Sequence, residues 1–216
     1  MAERPRTRAY IGLGANVGDA STTLARAIGA LAALPGARLV GISCLYATTP
    51  VGVHDQPEFR NAVVALDVPA GPDAATGATA LLIALKGLER AFGRQARERW
   101  GPRELDLDLL VFGRARLAVN RPPDGLSIDA GADAARARRL LVVPHPEAHD
   151  RLFVLAPLAD LAPGLVPPGW GERVATARRR RERVEGRDAV RPVARWDGAR
   201  GGWISEGHGS EGRRTR

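Results

Sequence analysis

The order of strand-like and helix-like segments limits the possible folds of this chain more than any other feature. Apolar and β-branched runs of strand length alternate with two segments whose leucines recur at helical spacing. In chain order they are a strand at 8–13, a helix at 21–34, strands at 37–48 and 59–68, a helix at 74–92 and a strand at 104–113. This β-α-β-β-α-β order predicts an α+β fold, a ferredoxin-like α/β sandwich with a mainly antiparallel sheet and helices packed on it.

A chain of 216 residues is expected to form one domain, residues 1–170, followed by a short appendage. Residues 114–139 are rich in arginine, alanine and Asp-Gly, and are predicted to form an inserted loop. Residues 171–216 hold 13 arginines and 7 acidic residues, whereas the rest of the chain holds 19 basic and 17 acidic residues. This basic segment is poor in aliphatic residues, so we predict a disordered C-terminal tail, above all after residue 185.

The composition argues against several classes of function. A single cysteine excludes an intrachain disulfide and a cysteine-rich zinc site. Together with the lack of a signal-like or membrane-length apolar run, it favours a cytoplasmic protein with no membrane partner. The only lysine, Lys86, does not lie in a P-loop sequence, and His145 and His149 do not form the H-E-x-x-H pattern of zinc proteases. The glycines of "GLGANVG" lack dinucleotide-binding spacing and predict a tight turn.

Two carboxylates stand one residue apart in the apolar segment "ELDLDLLVFG". On a strand, alternate residues face the same side, so Asp106 and Asp108 project together while the intervening leucines face the other way. Neighbouring carboxylates repel each other, and a hard divalent cation such as Mg²⁺ relieves that repulsion. The alternative is a half-exposed strand whose polar face is acidic by chance, and this alternative is favoured for the two aspartates taken alone.

Arginines cluster just before this strand, at Arg94, Arg97, Arg99 and Arg103. A guanidinium makes bidentate contacts with phosphate oxygens, and fixed positive charges stabilise a phosphoryl group during its transfer. The alternative is that these arginines pair with Glu98 and Glu104. Metal-binding carboxylates beside clustered guanidinium groups fit a phosphate-rich substrate.

A polar loop with two prolines, "TPVGVHDQPE", joins the strands at 37–48 and 59–68. Phe59 and Asn61 begin the second strand with side chains on the same face. An amide offers a donor and an acceptor together, and an aromatic ring offers a stacking surface, so the pair suits a flat heterocycle. A plain hairpin loop is the alternative, and it is favoured for this segment on its own.

Together these segments resemble the 6-hydroxymethyl-7,8-dihydropterin pyrophosphokinase family of folate biosynthesis. The family signature is a basic residue, any residue, Gly-Pro-Arg, two further residues, then Asp-aliphatic-Asp and two aliphatic residues. It is present here as "RWGPRELDLDLL" at 99–110. The resemblance extends over residues 8–168 through "IGLGANVGD", "YATTPVGVHDQPEFRNAV", "LERAFGR" and "VPHPEAHDRLFVLAPLADLAP".

This resemblance implies an enzyme, a 2-amino-4-hydroxy-6-hydroxymethyldihydropteridine diphosphokinase. Such an enzyme transfers the pyrophosphoryl group of ATP to the hydroxymethyl group of the dihydropterin and gives the pterin diphosphate and AMP. The resemblance also implies two Mg²⁺ ions, bound by Asp106 and Asp108, and ATP as co-substrate. We therefore expect small-molecule substrates, no nucleic-acid partner and a monomer.

The resemblance further implies roles for individual residues. The catalytic residues would be Arg94, Arg97, Arg103, Asp106 and Asp108. ATP would contact Glu89, Trp100, Arg103, Leu109, His145 and Arg151. The dihydropterin would contact Thr48, Thr49, Pro50, Val51, Gly52, Phe59, Asn61 and Phe153, with Asn61 on the polar edge of the ring and Phe59 and Phe153 on its faces. An arginine that the family carries near the insert would correspond to Arg138 or Arg139, or be absent.

Two other functions would fit part of the sequence. A different Mg²⁺-dependent transferase with a D-x-D pair would not explain the Thr-Pro loop, Phe59 and Asn61. A ferredoxin-like RNA-binding module would display aromatic residues on two strands and carry a basic body. Here aromatic residues make up only 5% of the chain, and the body outside the tail is nearly neutral.

Overall fold

The computed structural model describes residues 5–49, 57–94, 103–122 and 137–205. The elements are β1 (Arg6–Ala15), α1 (Ala20–Ala32), β2 (Arg38–Ile42), β3 (Leu45–Thr48), β4 (Phe59–Pro69), α2 (Ala74–Ala91), β5 (Asp106–Phe112), β6 (Leu117–Asn120), β7 (Arg139–Val143), α3 (Leu152–Leu161), α4 (Val174–Glu185), β8 (Val190–Asp197) and β9 (Gly202–Ile204). None of these helices is both long and apolar enough to cross a membrane, within the part of the chain that the structure describes.

Seven of the described strands form one antiparallel sheet in the order β5-β1-β4-β3-β8-β9, with β2 and β3 following one another along the same edge of β4. Strands β6 and β7 form a separate antiparallel pair. The predicted α+β class with a mainly antiparallel sheet and helices packed on it is confirmed.

The central strands bury side chains on both faces of the sheet. On one face Ile11 and Val64 pack with the leucines of α1 and α2. On the other face Tyr10 and Val63 pack with apolar residues of α3 and α4. Alternate strand residues point to opposite faces. Asn61, two residues from Val63, and Asp106, next to Leu107, therefore both face the α3 side of the sheet.

Side-chain caps begin α1 and α2 close to the predicted positions. The carboxylate of Asp19 accepts a hydrogen bond from the backbone N–H of Thr22 at 3.0 Å, and Asp73 does the same for Thr76 at 2.9 Å. Each cap satisfies a backbone N–H that has no partner inside the helix. The Asp73 cap thus starts α2 at Ala74, the first residue of the predicted helix.

The segment at 37–48, predicted as one strand, is two strands. The break lies at Ser43, whose hydroxyl accepts a hydrogen bond from the Val63 N–H at 2.9 Å while its own N–H donates to the Val63 carbonyl at 3.0 Å. The side chain takes the place of a backbone acceptor, so hydrogen bonding to β4 continues through the break between β2 and β3. The sequence pattern contains no signal for this substitution.

The insert at 114–139 is predicted to be a loop, but its residues Leu117–Asn120 form strand β6. Strand β6 pairs with β7 from Leu117 opposite Val143 to Asn120 opposite Arg139. Residues 123–136 lie outside the described part of the chain. The alternation of Leu117 and Val119, which pack against the core under α2, is the signal that the arginine-rich composition obscured.

The predicted disorder of the C-terminal tail is wrong for residues 174–204, which form α4, β8 and β9. A few apolar side chains suffice to dock these elements: Val174 and Ala177 are fully buried, and Trp196 and Trp203 meet edge to face with their ring centroids 5.0 Å apart. Two of the five arginines of α4, Arg178 and Arg181, form i,i+4 ion pairs with glutamates of the same helix, and Arg180 pairs with Glu172 and Asp150. The charge run is therefore largely a paired surface.

Candidate active site

Asp106 and Asp108 share one face of β5, as the sequence predicted. Leu107 between them is fully buried against α1 and α2, whereas both aspartates are partly exposed on the α3 side. In the sheet, Asp106 lies opposite Gly14 and Asp108 opposite Gly12 of β1. The two carboxylates thus stand at the start of β5 beside backbone that carries no side chain.

Two arginines hold the carboxylate of Asp106. Its Oδ1 lies 2.7 Å from Nη1 of Arg94, and its Oδ2 lies 2.6 Å from Nη1 of Arg103. Burial alone would raise the pKa of Asp106, but the charges of Arg103 and Arg94 outweigh it and hold that pKa below its ordinary value. The carboxylate is therefore ionised at neutral pH, the form that a metal ion requires.

Glu89 on α2 anchors this arginine cluster from beneath. Its side chain is 3% exposed, and Oε2 lies 2.5 Å from Nη1 of Arg94. Its Oε1 accepts hydrogen bonds from Nζ of Lys86 and from the backbone N–H of Leu107, both at 2.7 Å. Lys86 also donates to the Leu107 carbonyl at 3.1 Å. The Lys86–Glu89 pair thus satisfies the outward-facing backbone groups of edge strand β5 and fixes Arg94.

The donor atoms of this cluster fit a magnesium ion. Carboxylate oxygens are hard ligands, and Mg²⁺ is commonly held by one or two carboxylates, with substrate phosphates and water completing its coordination. Among the described residues, no hydrogen bond or ion pair reaches the Asp108 carboxylate, and no group of three or more His, Cys, Asp or Glu could enclose a metal. The Asp108 carboxylate stands beside the Asp106 carboxylate, which two arginines share, and this pair of hard ligands matches the coordination pattern.

Neutral side chains on β3 and β4 form the other half of the site. The Asn61 side-chain amide donates from Nδ2 to Oγ1 of Thr48 at 2.9 Å, and both residues are buried. Phe59 lies two residues before Asn61 on the same strand, hence on the same face. Phe153, in the first turn of α3, packs against the clusters that contain Tyr46, the strand partner of Asn61. The structure brings these predicted residues together.

Gly14 lies between the two halves, and sequence reasoning missed it. It is the strand partner of Asn61 on one side and of Asp106 on the other. A Cβ atom at this position would lie 3.2 Å from Oδ1 of Asn61. The available signal was that Gly12 and Gly14 are two residues apart on one strand, so both lie on the face that carries the aspartates.

Asn16 is a second residue that sequence reasoning missed. Its side chain, in a residue that is 2% exposed, accepts a hydrogen bond from the Arg103 N–H at 2.7 Å and donates to the Pro57 carbonyl at 3.3 Å. Its backbone N–H donates to the Arg103 carbonyl at 3.0 Å. One buried amide therefore ties the arginine cluster to the segment that leads into Phe59.

Comparison with known proteins identifies the family. Residues 10–163 match the family described as 7,8-dihydro-6-hydroxymethylpterin-pyrophosphokinase (HPPK). The chain belongs to this family. Its resemblance to the family, predicted from the sequence, is confirmed, and so is the enzyme class: pyrophosphoryl transfer to hydroxymethyldihydropterin in folate biosynthesis.

Named relatives of this HPPK chain include bacterial enzymes. The 2-amino-4-hydroxy-6-hydroxymethyldihydropteridine pyrophosphokinase of Methylorubrum extorquens is 40% identical over 172 residues, which cover 80% of this chain and 93% of the relative. The enzyme of the same name from Pseudomonas aeruginosa is 40% identical over 161 residues, 74% of this chain and 84% of that one.

A solved structure shares the fold of this chain. The wild-type HPPK-DHPS of Plasmodium falciparum, solved with pteroate, matches 95% of the chain with a TM-score of 0.66 and 12% sequence identity. The chain spans about half of that structure, since the match covers 48% of it. At this identity the likeness shows the fold alone.

The remaining predicted ATP residues of this HPPK occupy varied settings. The His145 N–H donates to the Leu110 carbonyl at 2.8 Å, and its ring Nδ1 accepts from the Glu147 N–H at 3.3 Å. Arg151 pairs with Glu147 and lies 5.6 Å from the ring centroid of Phe153.

Some predicted residues fall in less accessible places or outside the description. The Leu109 side chain is buried in the α1–α2 core, on the face opposite Asp108. Thr49 is exposed at the end of β3, and Arg139 donates to the side chain of Asn120 at 2.7 Å. The predicted residues that lie outside the described part of the chain are Pro50, Val51, Gly52, Arg97 and Trp100.

Proposed function

We propose that this chain transfers the pyrophosphoryl group of ATP to the hydroxymethyl oxygen of 6-hydroxymethyl-7,8-dihydropterin, giving the pterin diphosphate and AMP. The observation that carries the proposal is the shared register of Asn61, Gly14 and Asp106 on three neighbouring strands. Neighbouring strands are about 4.8 Å apart, so the heterocycle-reading amide and the phosphate-side carboxylate stand roughly 10 Å apart with glycine between them. A flat pterin and a phosphate chain fit end to end over that distance.

Asp106 and Asp108 would hold two Mg²⁺ ions in this proposal. When bound, these ions supply the positive charge that neutralises the triphosphate. Two hard carboxylates on one strand face, one of them kept ionised by its arginines, support this assignment. The phosphate oxygens of ATP would complete the coordination.

Arg94 and Arg103 would bind the phosphates of ATP, and Arg97 and Trp100 would extend the same contact. Arg94 and Arg103 both pair with Asp106, so they lie within reach of a phosphate that Asp106 helps to hold. Glu89 would act through Arg94, because both of its oxygens are already used inside the protein.

His145 and Arg151 would also contact ATP in this proposal. The Arg151 guanidinium lies over the Phe153 ring and beside Glu147, on the α3 side of the sheet. Leu109 would contact the nucleotide through its backbone, since its side chain lies in the core.

Asn61 would read the polar edge of the dihydropterin. Its bond to Thr48 fixes the orientation of the amide and leaves its Oδ1 and second N–H for the ring. Phe59 and Phe153 would stack on the faces of the ring, and Thr49, Pro50, Val51 and Gly52 would complete its pocket.

Positioning and charge, rather than a general base, would carry the reaction. No strong base accompanies the two aspartates among the described residues. Phosphoryl-type transfer to an alcohol is accelerated mainly by alignment and by fixed positive charge. We propose that the chain does this as a cytoplasmic monomer.

Product analysis tests the proposal. Purified protein is mixed with ATP, Mg²⁺ and the hydroxymethyl dihydropterin, and the nucleotides are separated. AMP and pterin diphosphate in equal amounts are expected. The 6-methyl dihydropterin, which lacks the accepting hydroxyl, should give no AMP. Formation of ADP, or no consumption of ATP, would overturn the proposal.

A further inference from the structure

Strand β8 lies outside residues 10–163, which match the family, yet it joins the sheet at the neutral half of the site. It pairs antiparallel with β3, with Val190 opposite Thr48 and Arg191 opposite Ala47. Thr48 in turn holds the amide of Asn61. Strand β8 thus pairs directly with the strand that carries Thr48, and only that strand separates it from Asn61 and Phe59.

Val190 connects β3 to the helix that carries Phe153. Val190 is 5% exposed and forms a buried cluster with Tyr46, Leu152 and Ala156. Phe153 packs against this same cluster. Since buried contacts transmit displacement with little slack, a loss of volume at Val190 would move both the strand end and the stacking ring.

Arg191 reaches the other side of the same site. Its Nη2 lies 2.7 Å from Oε1 of Glu58, which directly precedes Phe59, and the second oxygen of Glu58 lies 3.1 Å from Nη1 of Arg60. Arg60, Ala47 and Arg191 occupy matching positions on β4, β3 and β8. Two adjacent residues of β8 therefore hold the end of β3 and the beginning of β4.

β8 also removes an open sheet edge from this half of the site. All four residues of β3 are buried, although β3 would be an edge strand without β8. Edge strands present unpaired backbone groups and move more readily than paired ones. Hydrogen bonding of β3 to both β4 and β8 holds Thr48 in a fixed position relative to Asn61.

We propose that β8 is a positioning strand for the dihydropterin, with Val190 and Arg191 as its positioning residues. This inference rests on the proposed function. Val190 sets the position of Thr48 and Phe153, and Arg191 sets the position of Glu58 beside Phe59. Neither residue pairs with Arg94, Arg103 or the two aspartates, so we expect the effect of β8 to fall mainly on the pterin side of the site.

Ligand-specific binding tests the inference. Dihydropterin affinity is measured by fluorescence titration in the presence of Mg²⁺ and a non-hydrolysable ATP analogue, and the affinity for the analogue is measured separately. For Val190→Ala we expect dihydropterin binding to weaken roughly 3- to 10-fold, with analogue binding unchanged within about twofold. KM for the dihydropterin should rise in parallel, with KM for ATP unchanged.

Val193→Ala is the matched control, because it removes the same two methyl groups from the same strand. Val193 packs on the α1–α2 cluster instead of the Val190 cluster. It should leave dihydropterin affinity at the wild-type value and, because Val193 is only partly buried, lower the melting temperature no more than Val190→Ala does. Arg191→Gln should weaken dihydropterin binding by a smaller factor, and Arg191→Lys, which keeps the charge near Glu58, should restore it.

Two results would overturn the positioning role. Equal dihydropterin affinity in Val190→Ala and Val193→Ala would make β8 a stabilising strand only, and so would a parallel loss of both ligands. These outcomes are separate from failure of the proposed function, which is judged on the wild-type chain by its formation of AMP.

Discussion

The two halves of the site are held by different kinds of contact. On the phosphate side, Asp106, Arg94, Arg103 and Glu89 form a chain of ion pairs with nitrogen–oxygen distances of 2.5–2.7 Å. On the pterin side, the Asn61–Thr48 hydrogen bond is neutral and rests on packed apolar side chains. An ion-pair chain can exchange a carboxylate for a phosphate when ATP binds, whereas a packed neutral surface recognises a ring by its fixed shape.

Tyr46, on the pterin side of the site, carries a hydroxyl group that stays protonated. Its hydroxyl donates to Oδ1 of Asp160 at 2.9 Å, and the Cys44 N–H donates to the other carboxylate oxygen at 3.1 Å. Burial and the nearby Asp160 charge raise the pKa of Tyr46 well above its ordinary value. The Tyr46 hydroxyl therefore keeps its proton across the physiological pH range.

The largest effect is expected from removing a carboxylate on the phosphate side. Asp106→Ala and Asp108→Ala should each lower kcat about 1,000-fold or more, because the metal would lose a protein ligand. The melting temperature should stay close to that of the wild type in Asp108→Ala, whereas Asp106→Ala also loses its ion pairs with Arg94 and Arg103 and should melt at a somewhat lower temperature. The measurement is AMP formation at saturating substrates, with circular dichroism to monitor the fold.

Asp67→Asn is the control for these variants. Asp67 also pairs with two arginines, Arg8 and Arg38, at 2.7 Å each, but lies far along β4 from the site. The Asp67→Asn variant should form AMP with the wild-type kcat. Comparable losses of kcat in Asp67→Asn and Asp106→Ala would show that any arginine-paired aspartate matters equally and would remove the metal assignment.

The next largest effect is the loss of protein stability when the ion-pair chain is broken at Glu89. Glu89→Ala leaves Arg94, Lys86 and the Leu107 N–H without their buried acceptor, so the free energy of unfolding should fall by about 2–4 kcal/mol. Glu185→Ala, which breaks an i,i+4 pair with Arg181 on α4, should change it by less than about 0.5 kcal/mol. Urea unfolding of the two variants compares them, and equal losses would contradict the anchoring role of Glu89.

The smallest effect is expected at the boundary between the halves. Gly14→Ala places a methyl group 3.2 Å from Oδ1 of Asn61, so KM for the dihydropterin should rise roughly tenfold while KM for ATP stays near the wild-type value. Gly29→Ala, where a Cβ meets no atom within 4 Å, should leave both constants unchanged. A rise confined to ATP would place the pterin elsewhere.

The fold was largely predictable because its signals are local. Leucine spacing located α1 and α2, and apolar runs of strand length located β1, β4 and β5. The C-terminal elements escaped prediction because Val190, Trp196 and Trp203 are few and spread among arginines. Their docking depends on tertiary contacts with β3 and the α1 side of the sheet, which no local pattern encodes.

The site was predictable where spacing alone decides which way a side chain faces. Asp106 and Asp108 share a face because they are two residues apart on a strand, and the same argument paired Phe59 with Asn61. Gly14 and Asn16 escaped notice because their importance lies in what they adjoin across the sheet. Glu89 was predicted to contact ATP, yet its partners show a residue that supports Arg94 from within.

The magnesium dependence of ATP-analogue binding tests the central claim most directly. Isothermal titration of a non-hydrolysable analogue is carried out with and without Mg²⁺ for the wild type and for Asp108→Asn. We expect Mg²⁺ to strengthen analogue binding to the wild type at least about tenfold, and we expect Asp108→Asn to lose most of this gain. An equal response to Mg²⁺ in both proteins would contradict the claim that the paired aspartates hold the metal.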